Sequence, residues 1–228
     1  DRDNAAAQQL YGEANKLDAE YARAAAGISR SLNVGWRYNW IDESEHPLDR
    51  ALEYAQNAVL LDQSDARGYG ELGYAHLYRK EHSSSLIAYE RAVTLNPNDA
   101  DLLADMADAL THCSRSSEAI ELLNRAMQLN PYFPDVYLWH LGGAYYNERQ
   151  YEEAISAISR MNNPAEGHRL LAASYAQLNN QEQARLCAER VMQTHPGFSL
   201  DQWASIQPDL NSDDMMHFIE GLKKAGLK

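Results

Sequence analysis

The side chains with the widest chemical range in this sequence are its eight histidines: His46, His76, His82, His112, His140, His168, His195 and His217. None stands in a His-Glu-x-x-His pattern, and none pairs with Cys113 or Cys187 at zinc spacing. His112 and Cys113 are adjacent, and neighbours on a helix diverge by about 100°, so they cannot easily share one ion. Asp213 and His217 stand at i and i+4, which permits a weak metal contact, but a solvated helix face is the expectation. The carboxylate pairs Glu152-Glu153 and Asp213-Asp214 are pairs in sequence only. Glycoside hydrolysis needs two carboxylates facing each other across a cleft, whereas adjacent helical residues point apart. Ser83-Ser84-Ser85 lies between two helical stretches without the glycines of a nucleophile elbow. Leu141-Gly142-Gly143-Ala144 reads as a close-packing helix segment rather than a phosphate loop. No catalytic residue, metal ligand or cofactor is therefore expected. A hydrolase with a site assembled between helices is the alternative in the enzyme class.

Composition points the same way. Lys and Arg total 20 against 33 Asp and Glu, a net charge of −13. That balance repels phosphate backbones and anionic membrane surfaces, so nucleic acid is not an expected partner. No run of about 18 apolar residues is present, so no direct membrane insertion by this segment is expected. Two cysteines make no disulfide framework and read as free thiols among packed helices. The chain begins at Asp1 without Met, which reads as a piece of something longer.

The elements that carry these residues repeat. Leu61-Asp62, Leu95-Asn96-Pro97-Asn98 and Leu129-Asn130-Pro131-Tyr132 follow one another every 34 residues, as do Ala58, Ala92 and Ala126, and Ala51, Ser85 and Ala119. A fixed period of this length means one small unit stacked on copies of itself. Within a unit the apolar residues fall at three- and four-residue steps, the pattern of amphipathic helices. In the clearest unit one helix covers 66–79, a polar turn Lys80 to Ser84 follows, and a second helix runs to Leu95. Asn96-Pro97-Asn98-Asp99 stops it, and Asn98 or Asp99 can cap the next helix. Gly73, Ala92, Ala107 and Ala126 fall where two helices must cross closely, and Leu72, Tyr89, Met106 and Leu123 fill the space between.

At the front, Ala22 to Asn33 and Leu48 to Leu61 read as a helix pair separated by an insertion, Gly35 to His46, while residues 4–17 read as the second helix of a half unit. At the far end, Asp201 to Ile206 predicts a short helix. Ser212 to Ala225 predicts a longer one, capped by Ser212 or Asn211 and ended near Gly226, with Asp213, Asp214, Glu220, Lys223 and Lys224 on a solvated outer face.

The array resembles the tetratricopeptide repeat family. Residues 66–99 carry its signature as Tyr69, Leu72-Gly73, Tyr89, Ala92 and Pro97, with Ser85 where alanine is usual and His76 where tyrosine is. Residues 100–133 carry it through Met106-Ala107, Leu110, Ala119, Leu123, Ala126 and Pro131. Residues 135–164 carry it through Leu141-Gly142, Tyr145, Tyr151, Ala154 and Pro164, and residues 165–198 through Leu171-Ala172, Tyr175, Ala184, Ala188 and Pro196. The resemblance implies an all-α, right-handed α-solenoid of stacked antiparallel helix pairs. Its parts are a half unit 1–20, units 21–65, 66–99, 100–133, 134–164 and 165–198, and a C-terminal capping segment 199–228. Two details, the Gly35-Trp36 insertion followed by Leu48-Asp49-Arg50-Ala51-Leu52, and the ending Phe218-Ile219-Glu220-Gly221-Leu222, are similar to the C-terminal repeat region of bacterial class III adenylate/guanylate cyclases. A similar region occurs behind winged-helix regulators.

The family resemblance further implies that the first helix of each unit lines a concave groove. Carried over by slot, the candidate partner-binding residues are Arg23, Arg30, Asn33, Arg67, Tyr74, Leu77, Tyr78, Asp108, His112, Trp139, Tyr146, Asn147 and Arg169, with Gly70, Asp101, Thr111, Gly143, Glu166 and Gln177 at the remaining slots. Tyrosine, tryptophan and arginine are the types enriched at binding hot spots, and arginine can hold a carboxylate in two-pronged fashion. A second candidate interface is the aromatic cluster Trp36, Tyr38, Trp40 and Ile41 of the insertion, with packing back onto the first unit as its rival reading. The expectation is a non-enzymatic interaction or regulatory module of a larger signalling protein, taking a peptide or partner helix or pairing two copies as a homodimer. A periplasmic sensor or assembly scaffold is the alternative. The compartment stays open between cytoplasm and periplasm of a bacterium, as does membrane anchoring of the larger protein.

Overall fold

The computed structural model describes residues 2–228, and among them the regular structure is entirely helical. The chain divides into two compact bodies, residues 1–109 and 110–228, and each is built by the same local rule.

In the N-terminal body, α1 (Arg2–Leu17) precedes two helix pairs: α2 (Ala22–Arg37) with α3 (Pro47–Leu61), and α4 (Ala66–Tyr78) with α5 (His82–Leu95). The start of α6 (Ala100–His112) follows. Small residues set the approach of each pair. Ala51, Ala55 and Ala58 of α3 and Ala88 and Ala92 of α5 are buried. A Cβ at Gly73 would stand 2.7 Å from the Tyr89 ring, and that ring is fully buried. Each pair is also tied by one buried hydroxyl. Ser29 Oγ donates to the Ala51 carbonyl at 2.8 Å, and Ser85 Oγ donates to the Gly73 carbonyl at 2.8 Å. Serine at 85, where the resembled family usually has alanine, thus donates to a carbonyl beside the close crossing at Gly73. The caps are polar as predicted. Asp65 accepts from Arg67 N, and Asp99 accepts from Leu102 N at 3.2 Å.

Two boundaries differ from the sequence reading. The first helix of the front pair runs on to Arg37, through Gly35 and Trp36. Gly35 is there because a Cβ would stand 2.4 Å from Ile41, so this glycine makes room for the returning chain rather than ending the helix. The polar turn in the next unit is shorter than Lys80 to Ser84. Lys80 takes the left-handed conformation (φ 62°) and α5 already begins at His82, which places Ser83, Ser84 and Ser85 within its first turn. Ser114, Arg149 and Asn179 repeat that left-handed φ in the corresponding turns.

In the C-terminal body, α7 (Ser116–Leu129) leads to α8 (Asp135–Asn147) paired with α9 (Tyr151–Ser159), then α10 (His168–Gln177) paired with α11 (Gln181–Thr194). The short α12 (Leu200–Ser205) and α13 (Ser212–Ala225) close the chain. Leu138, Tyr146, Ile158, Leu170, Ala184, Val191 and Leu222 form one core. The long last helix has the predicted bounds. Asn211 caps it by accepting from Asp213 N, and Gly226 ends it at φ 103°. Its face toward solvent is narrower than predicted, because Asp214 turns inward.

Replacing Gly73 by Ala should cost about 1–3 kcal/mol, since the added methyl overpacks against a tyrosine with nowhere to move. Urea unfolding of the single variant and of the Gly73→Ala/Tyr89→Leu pair checks the cause. The loss should shrink in the smaller-ring background, and an equal loss in both would remove Tyr89 from the account.

Candidate functional site

The first helices carry a set of polar side chains that are neither core nor plain surface. In the N-terminal body, three arginines on α2 and α4 are held from behind by carboxylates of later elements. Arg23 Nε donates to Asp65 at 2.8 Å, Arg30 Nη1 to Asp105 at 2.9 Å, and Arg67 Nη2 lies 3.0 Å from Asp99. Their side chains still keep 67%, 40% and 42% of their surface in solvent, so each guanidinium has donors to spare. Two of the partner aspartates, Asp65 and Asp99, are the caps of α4 and α6, so one carboxylate both starts a helix and fixes an arginine of the preceding unit. The sequence reading named the arginines and missed these acids. The available signal was the 34-residue interval between Asp65 and Asp99, matching no apolar position.

Arg30 also sits 4.9 Å over the Tyr74 ring, and Arg37 lies 5.6 Å over Tyr78 while donating to the Tyr74 hydroxyl at 3.3 Å. Tyr74 and Tyr78 are 4% exposed and Leu77 is fully buried. They pack with Tyr89 and Ala109. Their place in the core is a correction to the slot assignment as a contact list: these three shape the face without offering their rings to solvent. Asn33 and Asp108 are buried as well, and Asn33 has neither its side-chain nitrogen nor its oxygen hydrogen-bonded. The insertion divides by residue. Trp36 meets Tyr78 edge-on at 5.7 Å and Ile41 joins the Ile28, Leu32 and Ala51 cluster, whereas Tyr38 and Trp40 stack on each other at 4.9 Å with nearly half their surface exposed.

In the C-terminal body, Trp139, Asn147, Arg169 and His112 are half-buried, and Tyr146 is buried. Arg169 lies 5.8 Å over the Trp139 ring. Tyr146 does not face solvent because the final helix covers it. Its hydroxyl donates to the His217 carbonyl at 3.2 Å, and Phe218 meets its ring edge-on at 4.9 Å. The Tyr151 hydroxyl is 2.8 Å from His217 Nε2. Burial, reinforced by Arg149, holds His217 below its ordinary pKa, so it is neutral at pH 7 and can accept from Tyr151. The solvated face expected for Asp213 and His217 is therefore wrong at His217, and no group of three His, Cys, Asp or Glu among the described residues is placed to hold a metal ion.

Glu71 is the most perturbed acid. It is 8% exposed, its Oε2 has no hydrogen bond, and Arg30 is 3.8 Å from Oε1. Burial outweighs the attraction of Arg30 and pushes its pKa up to about 7. A folded-state pKa above the unfolded value means that the native state resists ionisation. The stability Glu71 contributes is complete below the unfolded carboxylate pKa and is lost as pH rises through about 7. Glu71→Gln should therefore match the parent protein at pH 4.5 and exceed it by about 1–3 kcal/mol at pH 8. Urea midpoints at the two pH values check this, and a pH-independent difference would rule it out.

Among the described residues no helix is long and apolar enough to cross a membrane. Family models described as tetratricopeptide repeat match residues 66–99, 88–121 and 114–178. Superkiller protein 3 of Saccharomyces cerevisiae is 26% identical over 166 residues, 70% of this chain and 11% of its own length. The Hsp70-Hsp90 organizing protein of Triticum aestivum is 39% identical over 66 residues, 29% of this chain and 11% of its own length. The chain thus spans only about a tenth of these relatives. Among solved structures, the Cut9-Hcn1 hetero-tetramer of APC/C aligns over 98% of this chain and 39% of that one, with a TM-score of 0.72 at 17% identity, a likeness of fold alone. The helix pairs, their small-residue crossings and these matches agree that the chain, over residues 66–178, belongs to the tetratricopeptide repeat family, an all-α solenoid fold.

Proposed function

We propose that the chain is a non-enzymatic interaction module whose first-helix faces take a peptide or partner helix bearing carboxylates. The observation that carries this is the arrangement of Arg23, Arg30 and Arg67. Each is fixed by an aspartate, and each keeps 40% or more of its side-chain surface in solvent. An arginine already ordered loses little side-chain freedom on binding, and its remaining N–H groups can grip a carboxylate two-pronged. Trp139 under Arg169 adds a large planar contact of the type found at hot spots. A relative whose name gives it the organizing of Hsp70 and Hsp90 is in keeping with a protein partner. The Gly35-Trp36 insertion and the Phe218 to Gly226 ending support the narrower reading that the module belongs to a larger signalling protein such as a nucleotide cyclase, where it would dock a partner or pair two copies.

Selection from a random peptide library on the full chain tests the reading. Acid-containing binders should emerge, and Arg23→Ala/Arg67→Ala should weaken them by about tenfold or more with helix content unchanged. Trp139→Ala should also weaken binding, whereas Tyr78→Ala, deep in the core, should show mainly as lost stability of about 3 kcal/mol or more. Absence of binders, or binders indifferent to both arginines, overturns the proposal.

A further inference from the structure

The first-helix face of the C-terminal body is covered by the chain itself. Between α12 and the middle of α13 the backbone runs across the ends of α6, α8 and α10. Leu210 N donates to the His112 carbonyl at 2.9 Å, and Asp209 Oδ1 lies 3.2 Å from His112 Nδ1. Asp214 accepts from Ser114 Oγ at 2.9 Å and faces Arg149 at 3.5 Å. Tyr146 and Gln177 both donate to the His217 carbonyl, at 3.2 and 3.3 Å.

The way this segment is held changes along its length. From Phe218 onward it is anchored by apolar burial: Leu222, Ala225 and Leu227 are all 3% exposed or less. Before Phe218 two of its large apolar side chains point away, with Leu210 60% and Met216 56% exposed, only Met215 is half-buried, and the contacts that hold it are largely polar. Ion pairs and hydrogen bonds at a partly exposed surface exchange readily with water and each contributes little net stability, whereas a buried leucine contributes several times as much. The acidic start of α13 is thus tethered beside a face that it covers without being welded to it.

We infer that residues 209–217 are a resident, displaceable occupant of this face, and that the face recognises the acidic, capped start of a helix. An incoming segment of the same chemistry competes with the chain's own. The inference rests on the proposed role of the first-helix faces and specifies how the C-terminal one is regulated. The occupant itself supplies the probe, so the test needs no outside partner. Hydrogen exchange on the unaltered full chain should show the amides of Leu210, Met215 and Met216 exchanging at least tenfold faster than those of Leu222 and Ala225. A fluorescent peptide of residues 206–218 should bind the full-length Asp209→Ala/Asp214→Ala variant at least tenfold more tightly than the parent chain, and a peptide carrying Asn at both aspartate positions should lose that gain. Uniformly slow exchange through α13, or equal or absent peptide binding to the two proteins, overturns the inference. Those results leave the arginine face of the N-terminal body untouched, whereas selected binders indifferent to Arg23 and Arg67 speak only against that face.

Discussion

The close crossing of paired helices is the constraint on which the rest depends. Gly73 can carry no side chain because the Tyr89 ring lies where a Cβ would go. The same economy appears in Ala51, Ala55 and Ala58, in Ala119 and Ala126, and in Ala184 and Ala188, all buried. The two N-terminal pairs bring backbones near enough for a serine hydroxyl to reach a carbonyl of the other helix. Dispersion and exclusion of water then act over a long, narrow seam rather than a round core. A unit so thin cannot bury its own first-helix face and must lean on its neighbour, which is why the unit repeats.

That dependence also decides where polar groups can go. A first helix is sandwiched between its partner and the first helices on either side. Long side chains at its remaining slots reach beyond their own helix pair, as Arg30 does to Asp105 of α6 and Arg67 to Asp99 at the start of α6. A cation so placed is ordered by a carboxylate and supported by an aromatic face, with Tyr74 beneath Arg30. The arrangement leaves one acid in excess at Glu71, buried beside an arginine already committed to Asp105. The result is a carboxyl that keeps its proton into the neutral range. Polarity at this face is a product of stacking geometry.

Much of this was legible in the residues. The period, the paired helices, the aspartate caps and the bounds of α13 all follow from local rules that act within a few positions. What was not legible depends on partners distant in sequence. Gly35 counts as the start of the insertion until Ile41 is seen to occupy the space beside it. Tyr74, Tyr78 and Tyr146 occupy slots that look outward by count, but a slot says nothing of what crosses over it, and a tyrosine suits core and surface alike. Asp214 and His217 look like solvated helix residues because charge and imidazole usually are. Only the return of the chain to Ser114, Arg149 and Tyr151 gives them partners.

The last helix shows how one amphipathic segment can serve two purposes. Its second half supplies the apolar cover that the final unit requires, with Leu222 closing the core against α10 and α11. Its first half cannot do the same, because Asp213, Asp214 and Asn211 serve the helix N-terminus, where acid and amide side chains satisfy free N–H groups and the dipole. Capping chemistry therefore makes this stretch polar whatever it lies against. The face beneath meets it with a serine, an arginine, a tyrosine and a glutamine. A surface built to accept a capped, acidic helix start from its own chain already has the donors that a similar segment from elsewhere would need, and discrimination between the two then rests on tethering: the chain's own segment is held at high effective concentration by the buried anchor that follows it.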